Sequence, residues 1–489
     1  MSESLSQKTF SGLVWTFLET FSLQGFGFVQ GIILARYLMP SDYGLIAMTG
    51  VFFAISYALV DAGFTSALIR NNGREDIDYS TVYVTNVVLS FLISVVLCFC
   101  ASLIADFYHE PLLEQIVYVN ALLMFLGSFI AVQGARMTIH LDFKRKSRIN
   151  IVTTIITGLI SIVLAILEFG VWSLIYPNFA MILIKGVLYW HYQHWFPGIK
   201  FSWDIYKKYF SYGSNLMLSS ILNAIYANVY SLVIGKYYSA ANLGYYSKGQ
   251  GYAALPATTV SRMLLNVSFP ILSKVQDDNN RLQVIYRKMI RTSAYIVFPI
   301  MMLVAVLARP LVVVLITEKW LNSVVYLQIL CFAMMWDPIN ALNLNLLMVK
   351  GKSNLFLRLE IARKIIGVLV LCVTIPMGVL AMCYGQVVAS LLFLVINTYY
   401  TGKLINVGFF RQMKDLFPTI CYSFTMGGVV FLFISLIPTD YIQILIGVIV
   451  GVVFYLLLSK MLHSRDYYNM LELLAQNLPS KMKWVLSKM

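Results

Sequence analysis

Charge is scarce in this chain. Asp, Glu, Lys and Arg make up only 12% of 489 residues, while 59% are hydrophobic. A soluble domain carries about 25% charged residues, so this balance excludes an ordinary soluble protein. Long polar connections are missing too, and no folded extramembrane domain fits between the apolar stretches. Six cysteines (Cys98, Cys100, Cys331, Cys372, Cys383 and Cys421) all fall inside those stretches, without metal-ligand spacing. They read as small buried hydrophobes, and no metal or cofactor is expected. The five histidines sit at or near the ends of apolar spans. No Walker motif or glycine-rich phosphate loop occurs. No short apolar region with a small-residue cleavage site precedes the first span, which is therefore expected to be retained.

What the chain has is apolar length. A hydrocarbon core about 30 Å thick takes roughly 20 apolar residues per helix. About fourteen spans satisfy this: 10–35, 43–69, 80–106, 112–138, 149–168, 170–192, 210–235, 244–272, 289–308, 323–347, 353–375, 377–399, 417–437 and 441–461. The basic residues gather in alternate connections. One set includes Lys8, Arg70 and Arg74, Lys144 to Arg148, Lys200 to Lys208, Lys274 to Arg291, Lys350 to Arg358, and Lys403 to Lys414. The tail adds Lys460, Arg465, Lys481, Lys483 and Lys488. The opposite set holds only Arg36, Lys236, Lys248, Arg309 and Lys319. By the positive-inside rule both termini are cytoplasmic. The net charge of +14 lies beside span ends. That placement points to topology signals and anionic lipid rather than nucleic acid.

The chain matches itself at an offset of 200 residues. Leu34-Ala35-Arg36-Tyr37 aligns with Ile234-Gly235-Lys236-Tyr237, and Asp42-Tyr43-Gly44-Leu45 with Asn242-Leu243-Gly244-Tyr245. Lys8-Thr9-Phe10-Ser11 likewise aligns with Lys208-Tyr209-Phe210-Ser211. Six helices separate the copies, so they share one orientation, as in transporters with two parallel lobes. The expected fold is an all-α polytopic membrane protein of about fourteen helices. Its parts are an N-terminal lobe over 1–200, a C-terminal lobe over 201–400, two further helices over 401–465, and a tail over 466–489. The tail, which holds Trp484, and the 196–209 connection each read either as amphipathic interfacial segments or as unstructured chain.

Ionisable groups inside spans are costly and mark pathways or partners. The set is Glu19, Asp61, Arg136, Lys185, Arg262, Asp337, Glu360, Arg363 and Lys364. Five are cationic and four anionic, a balance that suits a ligand with an anionic head and a neutral polar body. Lys185, Arg262, Arg136, Arg363 and Lys364 are the candidate ligand-binding cations. Asp61, Asp337, Glu19 and Glu360 are candidates for ion coupling or gating. Each also has a plain structural reading. Arg136 lies near a span end and can snorkel; Glu360 and Lys364 can pair along one helix; Asp61 can cap span two. Asp61 and Arg262 hold nearly equivalent places in the two halves, which suggests a gating pair. Amides such as Asn120, Asn340, Asn343 and Asn345 serve either as interhelical glue or as the lining of a wet cavity. Pro256, Pro270, Pro299, Pro310 and Pro338 interrupt spans or their ends, where kinks are expected.

These residues resemble a known family. The carriers are Leu34-Ala35-Arg36-Tyr37-Leu38 followed by Asp42-Tyr43-Gly44, Asp61-Ala62-Gly63-Phe64, Leu141-Asp142-Phe143-Lys144, and Gly170-Val171-Trp172-Ser173-Leu174. Val233-Ile234-Gly235-Lys236, Val267-Ser268-Phe269-Pro270 and Glu318-Lys319-Trp320 continue the series. In order and spacing the chain is similar to polysaccharide transporters of the multidrug/oligosaccharidyl-lipid/polysaccharide (MOP) superfamily, in particular the Wzx-type flippases. The resemblance covers about residues 8–400. It implies alternating-access flipping of polyprenyl-pyrophosphate-linked oligosaccharide across the bacterial inner membrane, with H⁺ or Na⁺ as coupling ion and no catalysis. Relatives often carry an acid shortly before the Ile-Gly-Lys motif; here that stretch is Asn228-Val229-Tyr230-Ser231, without a carboxylate. The alternatives are an ion-coupled small-molecule exporter of the same superfamily and a membrane glycan polymerase. A polymerase would need catalytic groups in sizeable outside loops, which the chain does not have.

Overall fold

The structure is a computed structural model that describes residues 5–71 and 73–477. Lys481, Lys483, Trp484 and Lys488 of the expected tail lie outside the described residues, as does the side chain of Lys8. Every regular element described is helical, since a helix satisfies its own backbone polar groups in lipid. The chain divides into two compact units, Met1–Gly244 and Tyr245–Met489.

The first unit holds α1 (Leu5–Tyr37), α2 (Pro40–Asp61), α3 (Phe64–Arg70), α4 (Asp76–Tyr108), α5 (Leu112–Ile139), α6 (Phe143–Ile166), α7 (Trp172–Ile175), α8 (Pro177–Gln193) and α9 (Trp203–Tyr237). Local chemistry sets the ends. The Glu75 N–H donates to Asp78 (2.7 Å) and the Met39 N–H to Asp42 (2.8 Å), which satisfies donors at helix starts. Asp142 accepts from the Arg145 N–H at the start of α6. Pro40 and Pro177 open their helices, where a missing N–H is harmless. Span two is broken: Ala62 and Gly63 adopt φ of 39° and 72°, which separates α2 from α3. The 194–202 connection has no helix, yet it is held, with the Ser202 N–H donating to Thr81 at 3.2 Å. A core of Phe64, Leu68, Val82, Val132 and Tyr209 packs beneath it.

The second unit contains α10 (Ala240–Ser273, whose first turn belongs to the first unit), α11 (Asn279–Val306), α12 (Ala308–Ile316), α13 (Asn322–Met334), α14 (Asp337–Val349), α15 (Ser353–Thr374), α16 (Val379–Ile405), α17 (Phe409–Ser435), α18 (Asp440–Met461) and α19 (Arg465–Asn477). Helices α10 and α11 run through Pro256, Pro270 and Pro299 without a break. Pro338 does mark one, at the junction of α13 and α14. The amides here act as glue. Asn343 accepts from Thr401 (2.7 Å) and Gln412 (2.9 Å), Asn397 donates to Asn340 (2.9 Å), and Asn345 to Ser268 (2.7 Å). All of these amide side chains are buried. Cys331 and Cys383 are buried as expected, but Cys372 and Cys421 are exposed on the unit's surface. Lipid-facing positions admit small apolar groups as readily as a core does.

Among the described residues, twelve spans are long and apolar enough to cross a membrane. Two expected spans, now α10 and α15, fall short of that apolarity. Helix α15 carries Arg358, Glu360, Arg363 and Lys364, and α10 is rich in Gly, Ser, Thr and Tyr. The repeat is visible in the backbone. Helices α1 and α9 end at Tyr37 and Tyr237, and α2 and α10 begin at Pro40 and Ala240.

One contact sets up a stability test. Arg287 on α11 donates twice to Asp415 on α17, at 2.7 and 2.6 Å, and the Asp415 side chain is 9% exposed. Asp415→Ala would strand the guanidinium. We expect a loss of about 2–3 kcal/mol, below the 3–5 of a fully buried pair because Arg287 remains partly solvated. A lowered unfolding temperature of the purified protein in detergent would register it. An unchanged midpoint would show that the pair contributes nothing.

Candidate functional site

The first unit contains a half-open cavity of about 390 Å³ between α2, α4, α5 and α8. Its polar lining comes from Tyr57 and Asp61 on α2, Asn86 on α4, Asn120 and Ser128 on α5, and Asn178 and Lys185 on α8. The rest of the wall is apolar, chiefly Leu123, Met124, Ala131 and Ile182. A few fixed polar groups in an apolar wall are the usual form of a ligand site. The break after Asp61 ends α2 beside this cavity, and the carboxylate lies in the helix's last turn. Neither Asp61 nor Lys185 has an ion-pair partner within 4.0 Å among the described residues. Asn86 is buried, with its Oδ1 unpartnered.

Glu19 on α1 is held by α6. Ser147 donates to one carboxylate oxygen at 2.6 Å and Asn150 to the other at 2.7 Å. Its negative charge acts on Lys185, which Lys146 opposes. Lys146 itself donates to Thr138 at 2.7 Å. The cavity therefore gathers Asp61, the amides and Lys185, while Glu19 is held by Ser147 and Asn150 outside its lining.

The other expected residues are placed differently. Arg136 leaves the cavity. Its guanidinium lies 4.2 Å from the Trp195 ring centre and 5.0 Å from that of Tyr79. In the second unit Arg363 donates to Glu360 at 2.8 Å, an i, i+3 pair, and lies over Phe393 at 4.9 Å. Asp337 is half-buried at the start of α14, and the charge of Arg363 reaches it. Lys364 stands on the same helix as Glu360 and Arg363. Arg262 is exposed on α10. Asp61 and Arg262 belong to different units. Sequence reading passed over Tyr57, Asn86 and Asn178; neutral polar residues in apolar spans were the available signal.

At the opposite end of α2 two glycines meet backbone. A Cβ on Gly44 would stand 1.8 Å from the Ala240 carbonyl oxygen, and one on Gly244 would stand 1.8 Å from that of Pro40. The 200-residue offset carries one contact into the other. Further along the same seam, Gly235 packs on Met48 and Tyr108, and the Tyr108 hydroxyl donates to the Met48 carbonyl at 3.1 Å.

These features define a class: an all-helical, multi-pass membrane protein with a polar cavity inside a helical unit. The fold is that of the lipid II flippase MurJ in its inward closed conformation (TM-score 0.70, 14% identity, 92% of this chain and 99% of that one). It is shared with a multidrug-resistance MATE family transporter of the MOP superfamily in its inward-facing conformation (TM-score 0.59, 15% identity, 78% and 94%). The family described as "Polysaccharide biosynthesis protein" matches residues 33–325, more than half of the chain, and the chain belongs to it. Its relatives include the lipopolysaccharide biosynthesis protein WzxC of Escherichia coli (strain K12), 26% identical over 81% of this chain and 80% of that protein. The teichuronic acid biosynthesis protein TuaB of Bacillus subtilis (strain 168) is 22% identical over 88% and 89%. A membrane protein of the cps region of Klebsiella pneumoniae is 28% identical over 75% and 76%.

Proposed function

We propose that this protein flips a polyprenyl-pyrophosphate-linked oligosaccharide from the cytoplasmic to the outer leaflet of the bacterial inner membrane. Membership of the polysaccharide biosynthesis family carries the reading, and the fold shared with a lipid II flippase supports it. The work is translocation: the substrate's bonds are unchanged, and no cofactor enters. Fourteen spans, two parallel lobes over 1–200 and 201–400, and alternating access complete the picture. In it Lys185 of the first unit attracts the pyrophosphate during entry, and Arg262, Arg363 and Lys364 of the second are further candidate cations, since a cation acts most strongly where water is thin. Asp61, Glu19, Asp337 and Glu360 supply sites for H⁺ or Na⁺ coupling or for gating. The amides and Tyr57 of the cavity suit the neutral sugar body.

The experiment is transport in a strain lacking its own flippase. Expression should clear accumulated lipid-linked repeat units from the inner leaflet and restore surface glycan. Drug efflux without glycan export would assign the chain to small-molecule export instead.

Topology is tested separately. With both termini cytoplasmic, single cysteines placed at 145 and 281 in a cysteine-free background should resist an impermeant maleimide in intact spheroplasts and react after lysis. Labelling in intact spheroplasts would reverse the orientation and the direction of transport.

A further inference from the structure

A second feature of the first unit lies outside the polar cavity. Helices α4, α5 and α8 and the 194–202 connection form an apolar groove of about 630 Å³, walled by Val84, Val88, Phe129, Trp190, Trp195 and Phe196. Val88, Trp190 and Phe196 are exposed along it. One turn further on each of α5 and α8 the character changes. Gln133 and Trp190 belong to the groove, whereas Arg136 and Gln193 line a cleft of about 210 Å³ together with His140, Asp142 and Arg145. Trp195 joins the two, forming groove wall on one side and carrying the Arg136 guanidinium at 4.2 Å.

Positive charge is in excess at this junction. Asp142, the one acid of the cleft, is taken by Arg145 at 3.3 Å. Arg136 has no ion pair among the described residues; Asp76 acts on it only from beyond pairing distance. Its Nε and Nη1 are buried without hydrogen-bond partners, as is the Oε1 of Gln133. Arg136 also lines the cleft, and there the rest of its guanidinium can take an oxygen acceptor while the ring holds its face.

We infer that groove and cleft form a binding site for an anionic phospholipid of the bilayer, with an acyl chain along Val84, Val88 and Phe129 and the phosphate at Arg136. The order is that of a lipid: a long apolar slot, then Trp at the boundary, then a guanidinium at the helix ends. This inference needs only that the chain spans a membrane, and it is independent of the flippase reading.

The test uses the full-length protein in detergent, titrated with phosphatidylglycerol and followed by native mass spectrometry and thermal shift. The parent should bind phosphatidylglycerol at least tenfold more tightly than phosphatidylcholine, and should not respond to glycerol 3-phosphate. Arg136→Gln should lose that preference, and Arg136→Lys should keep part of it. Gly186→Leu, which narrows the groove, should weaken both lipids while leaving the charge preference. Should Arg136→Gln fail to fold, Gly186→Leu and the three-ligand comparison still decide. Equal binding of both lipids by the parent, a response to glycerol 3-phosphate alone, or displacement of phosphatidylglycerol by undecaprenyl phosphate at a hundredth of its concentration would each overturn the proposal. The last would return the groove to the transported lipid.

Discussion

Replacing Gly44 or Gly244 with alanine is expected to lower glycan export about 10- to 100-fold while the protein still reaches the membrane. The added methyl group would sit 1.8 Å from a carbonyl oxygen in either case, and 2.5 or 2.6 Å from the carbonyl carbon. Ordinary contacts begin near 3.4 Å. The obstacle is backbone, which cannot swing aside as a side-chain tip does. The turns at residues 38–40 and 238–240 must therefore separate. Overpacking of this kind costs about 1–3 kcal/mol, and every 1.4 kcal/mol is a tenfold change in population. Because the contacts exchange under the 200-residue offset, the two variants should behave alike. A cysteine at Met48, which is 1% exposed beside Gly235, reports the separation. It should be protected in the parent and labelled in either alanine variant. Full export together with continued protection of that cysteine would show that the close approach plays no part in the transport cycle.

Lys185→Gln should reduce export about tenfold or more, with little change in protein abundance. Lys185 lines the cavity without an ion pair, so its removal strands no buried partner and should not unfold the unit. What is lost is a charge-assisted contact to the pyrophosphate, worth about 1.5–3 kcal/mol. Lys185→Arg should recover part of the activity. Asp61→Asn, across the same cavity, should alter the response to a collapsed proton or sodium gradient more than the capacity to bind substrate. Export at the parent level by Lys185→Gln would remove this lysine from the path. Disappearance of the protein from the membrane would show instead that the ammonium holds the unit together through Glu19.

Much of this molecule is legible from local pattern. Helix existence follows from apolar length, and helix starts follow from Asp42, Asp78, Asp142 and the prolines that open α2 and α8. The 200-residue repeat, seen in a few short matches, reappears as helix ends at Tyr37 and Tyr237. The prolines by themselves do not mark where helices end: α10 and α11 run through theirs, while span two breaks at Ala62 and Gly63, where no proline stands. A proline removes one hydrogen bond from a long helix, and neighbouring packing can tolerate the kink. A left-handed pair ends the helix outright.

The charges divide similarly. That Glu19, Asp61, Arg136 and Lys185 would need a partner or a cavity could be read from their cost in an apolar span. Which of them meet could not, because facing depends on how four helices rotate about their own axes. Asp61 and Lys185, 124 positions apart, share a cavity, whereas Arg136, on a helix that lines it, turns to Trp195. The linear order determined membrane residence, helix count to within the two polar spans, and family membership, since each rests on composition and spacing along one chain. Only the tertiary structure decided that two glycines of the repeat stand against each other's turns, and that a lysine, an aspartate and three asparagines line one space. Those outcomes depend on distances between segments far apart in sequence, and local residue pattern carries no term for them.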